Sequence, residues 1–195
     1  MSVISNICVM GINDSIRASK YPMSTDISQL NYDFTERVNL LATSERGSGH
    51  DQFLTGCIVQ FDLTFSIKAW VEAERYHFLD FVSSQSTMHR IVRLDPAEQC
   101  NDYVDGRILG VLTELIEEYK KNPSPYKYLE CLYNIPSGYR LTARMTTNYR
   151  QLKTIYKQRH DHRLPEWREF CQELKQLPHS EWITCGVKED NDECE

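Results

Sequence analysis

The chain has 195 residues, of which 41% are hydrophobic, 11% aromatic and 26% charged. This composition is that of an ordinary globular protein, and it excludes a disordered or collagen-like chain. The formal net charge of −6 argues against duplex nucleic acid as a partner, because such binding needs a broad basic surface. No run approaches the roughly 18 apolar residues that cross a bilayer. We therefore expect a soluble, cytoplasmic protein without a membrane partner.

The seven cysteines are odd in number and widely spaced. Since no C-x-x-C pair is present, the sequence predicts neither a structural zinc site nor a disulfide scaffold. Cys57 and Cys171 lie in apolar patterns and are predicted to be small core residues. His160 and His162 flank an aspartate, but imidazoles two residues apart diverge on a helix. We therefore predict no metal site.

The first half of the chain alternates between strand and helix patterns. Residues 3–10 are apolar and β-branched, which predicts a strand, and residues 26–42 carry apolar side chains at helical spacing. Glycines in 47–51 indicate a turn. The clearest strand is 57–65, where apolar and polar residues alternate. A long helix is predicted to follow over 67–81.

The second half begins with a polar segment at 83–90 that has no helix or strand pattern. A helix is predicted over 107–119, and the prolines of 121–125 end it. After a strand at 141–146, two helices complete the chain. Thr147 is a plausible N-cap for the first of them, and Pro165 fits the first turn of the second.

These elements do not follow a strict βαβ alternation, so the fold class is α+β. No internal repeat or convincing linker is present. We predict one domain over residues 1–188, followed by a disordered acidic tail at 189–195.

The helix after the last strand is basic, and one of its faces is unusual. Positions 148, 152, 155 and 159 share that face, which begins with Asn148 and ends with Arg159. An arginine at the edge of an apolar stripe is costly to desolvate unless its planar fork binds a carboxylate or phosphate. The alternative is that Arg159 pairs with a glutamate or extends outward to water.

Two loops carry further polar groups. The segment 83–90 brings hydroxyls, an amide, an imidazole and a guanidinium together after an aromatic helix. Such a segment binds a small polar ligand with many hydrogen bonds, or it is a solvated loop with capping serines. His50 lies in the glycine turn, where a histidine either contacts a ligand or is simply exposed.

Four stretches of the chain occur in the order of one enzyme family's motifs. Residues 50–53 are similar to a histidine loop before the family's central strand, and 63–67 to its F-T-F-x-I strand end. Residues 83–90 lie where the family carries R-H-R-x-x-S-x-N-E-x-S-x-R-Y. Asn148, Arg150, Leu152 and Arg159 keep the spacing of its N-x-R-S-L-x-x-F-x-x-x-R helix. The chain therefore resembles the flavin-dependent thymidylate synthases, which methylate dUMP with FAD and a folate.

This resemblance implies a small antiparallel-type sheet packed by long helices, and a homo-tetramer with sites between subunits. It implies that Arg159 grips and polarises the uracil ring, and that Asn148 and Arg150 line the flavin and nucleotide pocket. It also implies that Arg90 binds the nucleotide phosphate and that His50 lies beside the flavin. The predicted nucleotide-binding set is Ser84, Gln85, Ser86, His89, Arg90, Asn148, Arg150 and Arg159, with Arg159 as the catalytic residue and His50 and Asn148 as the FAD-binding residues if flavin binds.

The family's R-H-R, which grips FAD, has no counterpart in this chain. Residues 79–83 read Leu-Asp-Phe-Val-Ser, and an aspartate at this place repels the flavin's pyrophosphate. We therefore expect a protein that binds or sequesters a nucleotide-type ligand and has lost flavin-dependent thymidylate synthesis.

Two alternatives remain open. One is an active flavin-dependent enzyme that methylates or hydroxymethylates a pyrimidine deoxynucleotide such as dUMP. The other is a structural protein whose polar segments form an oligomer interface. Residues 47–90 are also similar to bacteriophage proteins, which implies a phage origin and a location in the host cytoplasm.

Overall fold

The computed structural model of the chain describes residues 2–187, and the acidic tail predicted at 189–195 lies outside the described residues. The chain divides into two compact units. The first unit contains the residues up to Phe61, residues 77–80 and the residues from Thr146 onward, and the second contains residues 62–76 and 81–145. The prediction of a single domain over 1–188 stays a prediction.

Four strands form one antiparallel sheet in the order β1-β2-β4-β3, which confirms the predicted α+β class with a small antiparallel sheet. In β2, alternate residues from Val59 to Phe65 are buried and the residues between them are mostly half-buried, as the period of two predicts. The strands are β1 (Ile4–Met10), β2 (Ile58–Ser66), β3 (Asp80–Ser84) and β4 (Arg140–Asn148).

Helices make up most of the remaining described residues, and no helix among them is long and apolar enough to cross a membrane. The α-helices are α1 (Ile12–Ala18), α2 (Glu36–Ala42), α3 (Ile67–Ala73), α4 (Thr87–Arg90), α5 (Pro96–Gln99), α6 (Gly106–Lys121), α7 (Pro125–Tyr133), α8 (Tyr149–Arg159), α9 (Pro165–Leu174) and α10 (Glu181–Thr184). Short 3₁₀ helices occur at Tyr21–Met23, Ile27–Gln29, His50–Gly56 and Ile91–Arg93.

The single helix predicted over 26–42 is wrong, because only α2 and a short 3₁₀ turn form there. Arg17 donates to the carbonyls of Ile27 and Leu30, and Lys20 donates to those of Asn31 and Asp33. A continuous helix would need those carbonyls for its own hydrogen bonds. Arg17 of α1 and Lys20, which follows α1, therefore hold residues 27–33 in an irregular path.

The helix predicted over 67–81 is too long, because α3 ends at Ala73 and β3 begins at Asp80. Phe78 has a left-handed backbone with φ of 62°, which an α-helix does not contain. Its carbonyl accepts a hydrogen bond of 2.6 Å from the hydroxyl of Thr147. Thr147 is thus a residue of β4, and the prediction that it caps α8 is wrong.

Asn148 caps α8 instead, since its Oδ1 accepts from the backbone N–H of Gln151 at 2.9 Å. The sequence also did not predict α7. Ser124 accepts from the N–H of Lys127 at 3.2 Å and Pro125 occupies the first turn, so the break after α6 is at the same time the start of α7.

Each unit has its own cluster of buried side chains. In the first unit, Phe170 of α9 packs against Phe61 and Trp167 at ring separations of 5.8 and 5.7 Å. In the second, Leu112 and Ile116 of α6 pack with Cys131, Tyr139, Ile91 and Cys100. Cys57 and Cys171 are buried, as predicted, and burial raises the pKa of the Cys57 thiol to about 11.

Candidate functional site

Helix α8 carries polar side chains on two opposite faces. At about 100° per residue, Arg150 lies about 180° around the helix from Arg159, and Lys157 about 160° from it. The face with Leu152 and Ile155 is the one that the sequence singled out. Its opposite face holds Arg150, Lys153 and Lys157. Arg159 and these three cations therefore contact different parts of the protein.

Arg159 lies at the end of α8 with its guanidinium held on two sides. Its Cζ is 4.9 Å from the centroid of the Trp167 ring, and its Nη1 is 2.7 Å from Nε2 of His162. A guanidinium has only donors, so His162 accepts with Nε2. Because Arg159 is half-buried and packed on a rigid ring, it loses little freedom when it binds an anion.

The other two predicted residues of this helix have contacts inside the first unit. Asn148 uses its Oδ1 to cap α8. Arg150 donates from Nε to Oδ1 of Asp51 at 3.0 Å, and its side chain is only 18% exposed. The sequence predicted both residues as pocket residues, and the structure gives each of them a contact that stabilises the fold.

Asp51 is the centre of a buried ionic cluster that the sequence did not predict. Its carboxylate is fully buried, and its Oδ2 lies 3.7 Å from Nζ of Lys153. Lys153 has a side chain 6% exposed and also donates to the carbonyls of Ala42 and Ser44. The spacing of Arg150, Lys153 and Lys157 along one helix face was the available signal.

His50 is exposed and begins the 3₁₀ helix that contains Asp51. It lines a cleft of about 880 Å³ in the first unit, together with Asp14, Arg37 and Phe53. A cleft of this size falls in the range of small-molecule sites. The position is compatible with the ligand contact that the sequence left open for His50.

In the second unit, Gln85 extends the pairing between β3 and β4. Its backbone N–H donates to the carbonyl of Thr142 at 2.9 Å, and its Oε1 accepts from the N–H of Thr142, also at 2.9 Å. Ser84 precedes it at the end of β3. Both residues line a pocket of about 240 Å³, whose wall includes Trp70 and Phe81. Gln85 therefore has a structural role besides any contact with a ligand.

The rest of the polar segment surrounds the short helix α4. Ser86 precedes α4 and accepts with its carbonyl from the N–H of His89 at 3.3 Å. His89 is exposed and lines a cleft of about 670 Å³ with Tyr119 and Tyr128. Arg90 is exposed at the last position of α4. Ser84, Gln85, Ser86, His89 and Arg90 thus belong to the second unit, whereas His50, Asn148, Arg150 and Arg159 belong to the first.

Among the described residues, no group of three or more histidine, cysteine, aspartate and glutamate side chains is placed to hold a metal ion.

Comparison with solved structures identifies the architecture. A flavin-dependent thymidylate synthase ThyX from Helicobacter pylori, crystallised with FAD and dUMP, matches with a TM-score of 0.70 over 93% of this chain and 98% of that one, at 14% identity. A second structure of ThyX from Helicobacter pylori with FAD and dUMP matches with a TM-score of 0.69 over 92% and 94%, at 13% identity. The chain has the ThyX fold. This confirms the resemblance that the sequence motifs indicated.

No protein-family model matches the chain, and no curated protein sequence matches it. The chain is therefore divergent within the ThyX fold, as its identities of 14% and 13% to the two structures also indicate.

The segment that the motif resemblance sets against the helix end with R-H-R begins with leucine, aspartate and phenylalanine at 79–81. Leu79 is 4% exposed and belongs to the core. Asp80 is exposed, and the ring of Phe81 lies 5.1 Å from that of Trp70. None of the three is a cation, and two of them have apolar packing contacts.

Proposed function

We propose that this ThyX-fold chain binds a nucleotide-type ligand through Arg159 and has lost flavin-dependent thymidylate synthesis. The observation that carries the proposal is the fixed, half-buried guanidinium of Arg159, stacked 4.9 Å from Trp167. The two ThyX structures that share the fold hold FAD and dUMP. A planar donor fork, held in place before the ligand arrives, suits a pyrimidine carbonyl or a phosphate.

The proposed loss of flavin chemistry follows from residues 79–81. An FAD pyrophosphate needs cations or backbone N–H groups to balance its charge. Leu79 supplies a core side chain, Asp80 adds a negative charge, and Phe81 packs on Trp70. A single substitution would not restore a cationic grip here, because Leu79 and Phe81 are engaged in packing.

Calorimetry tests the binding proposal. We expect the wild-type protein to bind at least one member of a panel of deoxynucleoside monophosphates and cyclic mononucleotides. Arg159→Ala should weaken that binding about 10- to 100-fold, since it removes a hydrogen bond to a charged group. Arg75→Ala, at an exposed arginine outside the predicted site, is the matched control. Absence of binding by every member, or equal binding by Arg159→Ala, would refute the proposal.

The polar segment of the second unit is also part of this proposal. Ser84, Gln85, Ser86, His89 and Arg90 are proposed as nucleotide contacts, with Arg90 supplying a cation for phosphate. Arg90→Ala, measured in the same titrations, tests the set. If the affinity of the best nucleotide stays within twofold of the wild type, Arg90 has no role in binding and the phosphate contact proposed for this segment is wrong.

An active flavin enzyme is the alternative that the cleft beside His50 favours. Its volume of about 880 Å³ is large enough for a cofactor segment. If FAD binds there, His50, which lines the cleft, is its proposed contact, and Asn148, which is not among the described lining residues, is proposed from the family resemblance. The test is the absorption of oxidised flavin, at roughly 450 nm, in protein that is purified after FAD is added. Colourless protein contradicts the alternative, and yellow protein that methylates or hydroxymethylates dUMP contradicts the proposed loss.

We also propose that the protein self-associates, as the resemblance to a tetrameric family implies. In the second unit, large apolar side chains remain exposed on α6 and α7, which is typical of interaction surfaces. They are Ile108, Val111, Tyr126, Leu129 and Tyr133, with exposures from 46% to 85%. Light scattering after size exclusion should give a tetramer that Tyr133→Glu dissociates and Tyr32→Glu, in the other unit, does not.

A tetramer that binds no nucleotide and no FAD would instead favour the structural alternative. A bacteriophage origin and a location in the host cytoplasm stay predictions.

A further inference from the structure

The buried cluster around Asp51 has an unbalanced charge. Asp51 is fully buried, and two cations approach its carboxylate, Arg150 at 3.0 Å and Lys153 at 3.7 Å. Oδ2 of Asp51 has no hydrogen-bond partner within the described part of the chain. Two positive charges thus share one negative charge at a place removed from water. A charge in such surroundings is costly unless a counter-ion balances it.

The excess positive charge lies next to an open cleft. Lys153 forms part of the lining of a cleft of about 650 Å³ in the first unit, between residues 43–46 and α8. Arg46 and Lys157 line the same cleft and are exposed. Arg46 donates from Nε to Oγ1 of Thr154 at 3.1 Å, which ties its guanidinium to α8. Glu45 is the only acid in the described lining.

Two exposed cations, Arg46 and Lys157, face one acid in the described lining, and Lys153 beneath them is only partly balanced by Asp51, which makes this cleft attractive to a small oxyanion. Hydroxyls contribute less, because Thr154 already donates to the carbonyl of Arg150, and Ser44 to that of Leu41. Recognition must therefore come from guanidinium and ammonium groups, which bind phosphate oxygens well. We propose that this cleft is a phosphate-binding site on the face of α8 opposite Arg159. Arg46 and Lys157 hold the phosphate, and buried Lys153, whose donors are taken by Ala42, Ser44 and Asp51, adds positive charge beneath it.

The cleft is larger than one phosphate ion. It therefore has room either for free inorganic phosphate or for the phosphate group of a small-molecule ester. Both sources share the same oxyanion chemistry. Separate titrations with inorganic phosphate and with ribose 5-phosphate distinguish them. Tighter binding of the ester would show that the cleft also contacts the organic part.

The test uses the full-length protein and calorimetry in low salt. We expect the wild type to bind at least one of the two probes, with an affinity that falls as NaCl is added because salt screens exposed charges. The double variant Arg46→Gln and Lys157→Gln should bind at least about tenfold more weakly, since it removes two charged contacts. Both residues are exposed, so these substitutions spare the core.

Two controls separate this site from the proposed nucleotide site. Lys120→Gln changes an exposed lysine of α6 in the second unit and should keep the phosphate affinity within twofold. Arg159→Ala should also keep it, although it weakens nucleotide binding. A loss of phosphate binding in Arg159→Ala would mean that the phosphate binds at Arg159, which contradicts the proposal.

A second measurement does not depend on any variant. Cys185 is half-buried and lines the cleft, whereas Cys8 is exposed on β1. Peptide mass spectrometry should show that phosphate slows the alkylation of Cys185 and leaves that of Cys8 unchanged. If neither probe binds the wild type, or if the double variant binds as tightly as the wild type, the cleft is not a phosphate site.

Discussion

The buried ionic cluster makes Asp51→Asn an informative substitution. Asparagine has nearly the same volume and keeps an oxygen that accepts from Nε of Arg150, which lies 3.0 Å from Oδ1 in the native protein. It removes the negative charge that pairs with both Arg150 and Lys153, whose side chains are 18% and 6% exposed. The substitution therefore tests the charge of Asp51 and leaves its packing almost unchanged.

The expected effect is large. Removing one partner of a buried ion pair costs about 3–5 kcal/mol, because the remaining charge is left without compensation. Native domains have free energies of unfolding of about 5–15 kcal/mol, so this loss is a substantial part of the total. For a chain of this size each kcal/mol lowers the melting temperature by about 2–4 °C. We expect a fall of about 6–20 °C.

Urea unfolding at pH 7 measures the change in free energy and thermal melting measures the change in melting temperature, both followed by circular dichroism. Asp62→Asn is the matched control, because Asp62 pairs with Arg144 at 3.3 Å in the second unit and both side chains are more than 25% exposed. Such a pair contributes about 1 kcal/mol or less. If Asp51→Asn lowers the free energy of unfolding by no more than the control does, the charge of Asp51 is unimportant.

A double substitution strengthens the test. Lys153→Met removes the ammonium that faces Asp51, so Asp51→Asn should cost less in that background than in the wild type. The coupling energy between the two positions should reach about 0.5–3 kcal/mol. Additive effects would show that Lys153 and Asp51 do not interact.

Three further outcomes are expected from the same denaturation assay. Asn148→Ala removes the cap of α8 and should cost about 1 kcal/mol; an unchanged stability would mean that the Asn148 side chain does not cap the helix in solution. Burial raises the pKa of the Cys171 thiol to about 12 from 9.0, so its contribution to stability is complete below pH 9 and is lost as the pH rises toward 12. Between pH 9 and 11 the wild type should lose more stability than Cys171→Ala, and equal losses would contradict the raised pKa. Phe78→Gly removes a phenylalanine that has a left-handed backbone and is 65% exposed. Because the relief of backbone strain offsets the added entropy of the unfolded chain, the free energy of unfolding should change by less than about 1 kcal/mol. A larger loss would show that the ring packs in solution.

Local periodicity predicted the elements whose burial it reflects. β2 alternates because one face is buried, and α9 carries Trp167, Phe170 and Leu174 on its buried side. β3 has no such pattern, since all five of its residues are exposed. Its position depends on pairing with β4, about 60 residues away along the chain, which no local pattern records.

The sequence pattern likewise indicated some residues of the candidate site and missed others. Arg159 stood out because it ends an apolar helix face, and the structure places it against Trp167. Asp51 and Lys153 were missed because a charged residue in a sequence pattern is taken as exposed. The spacing along α8 shows only that Lys153 shares a face with Arg150. The burial of Lys153 and Asp51 results from a contact between the 3₁₀ helix and α8, 102 positions apart, which local spacing does not record.

The two faces of α8 connect the two binding sites proposed for this chain. Residues 79–81 supply no cation, since Leu79 belongs to the core and Phe81 packs on Trp70. Positive charge is concentrated instead on α8, where Trp167 fixes one guanidinium and Asp51 draws two cations inward. Around Asp51, two cations share a single buried carboxylate, which leaves part of their charge unbalanced. We therefore propose that α8 binds anionic ligands on two sides, on the face of Arg159 and on the opposite face that opens into the cleft beside Arg46.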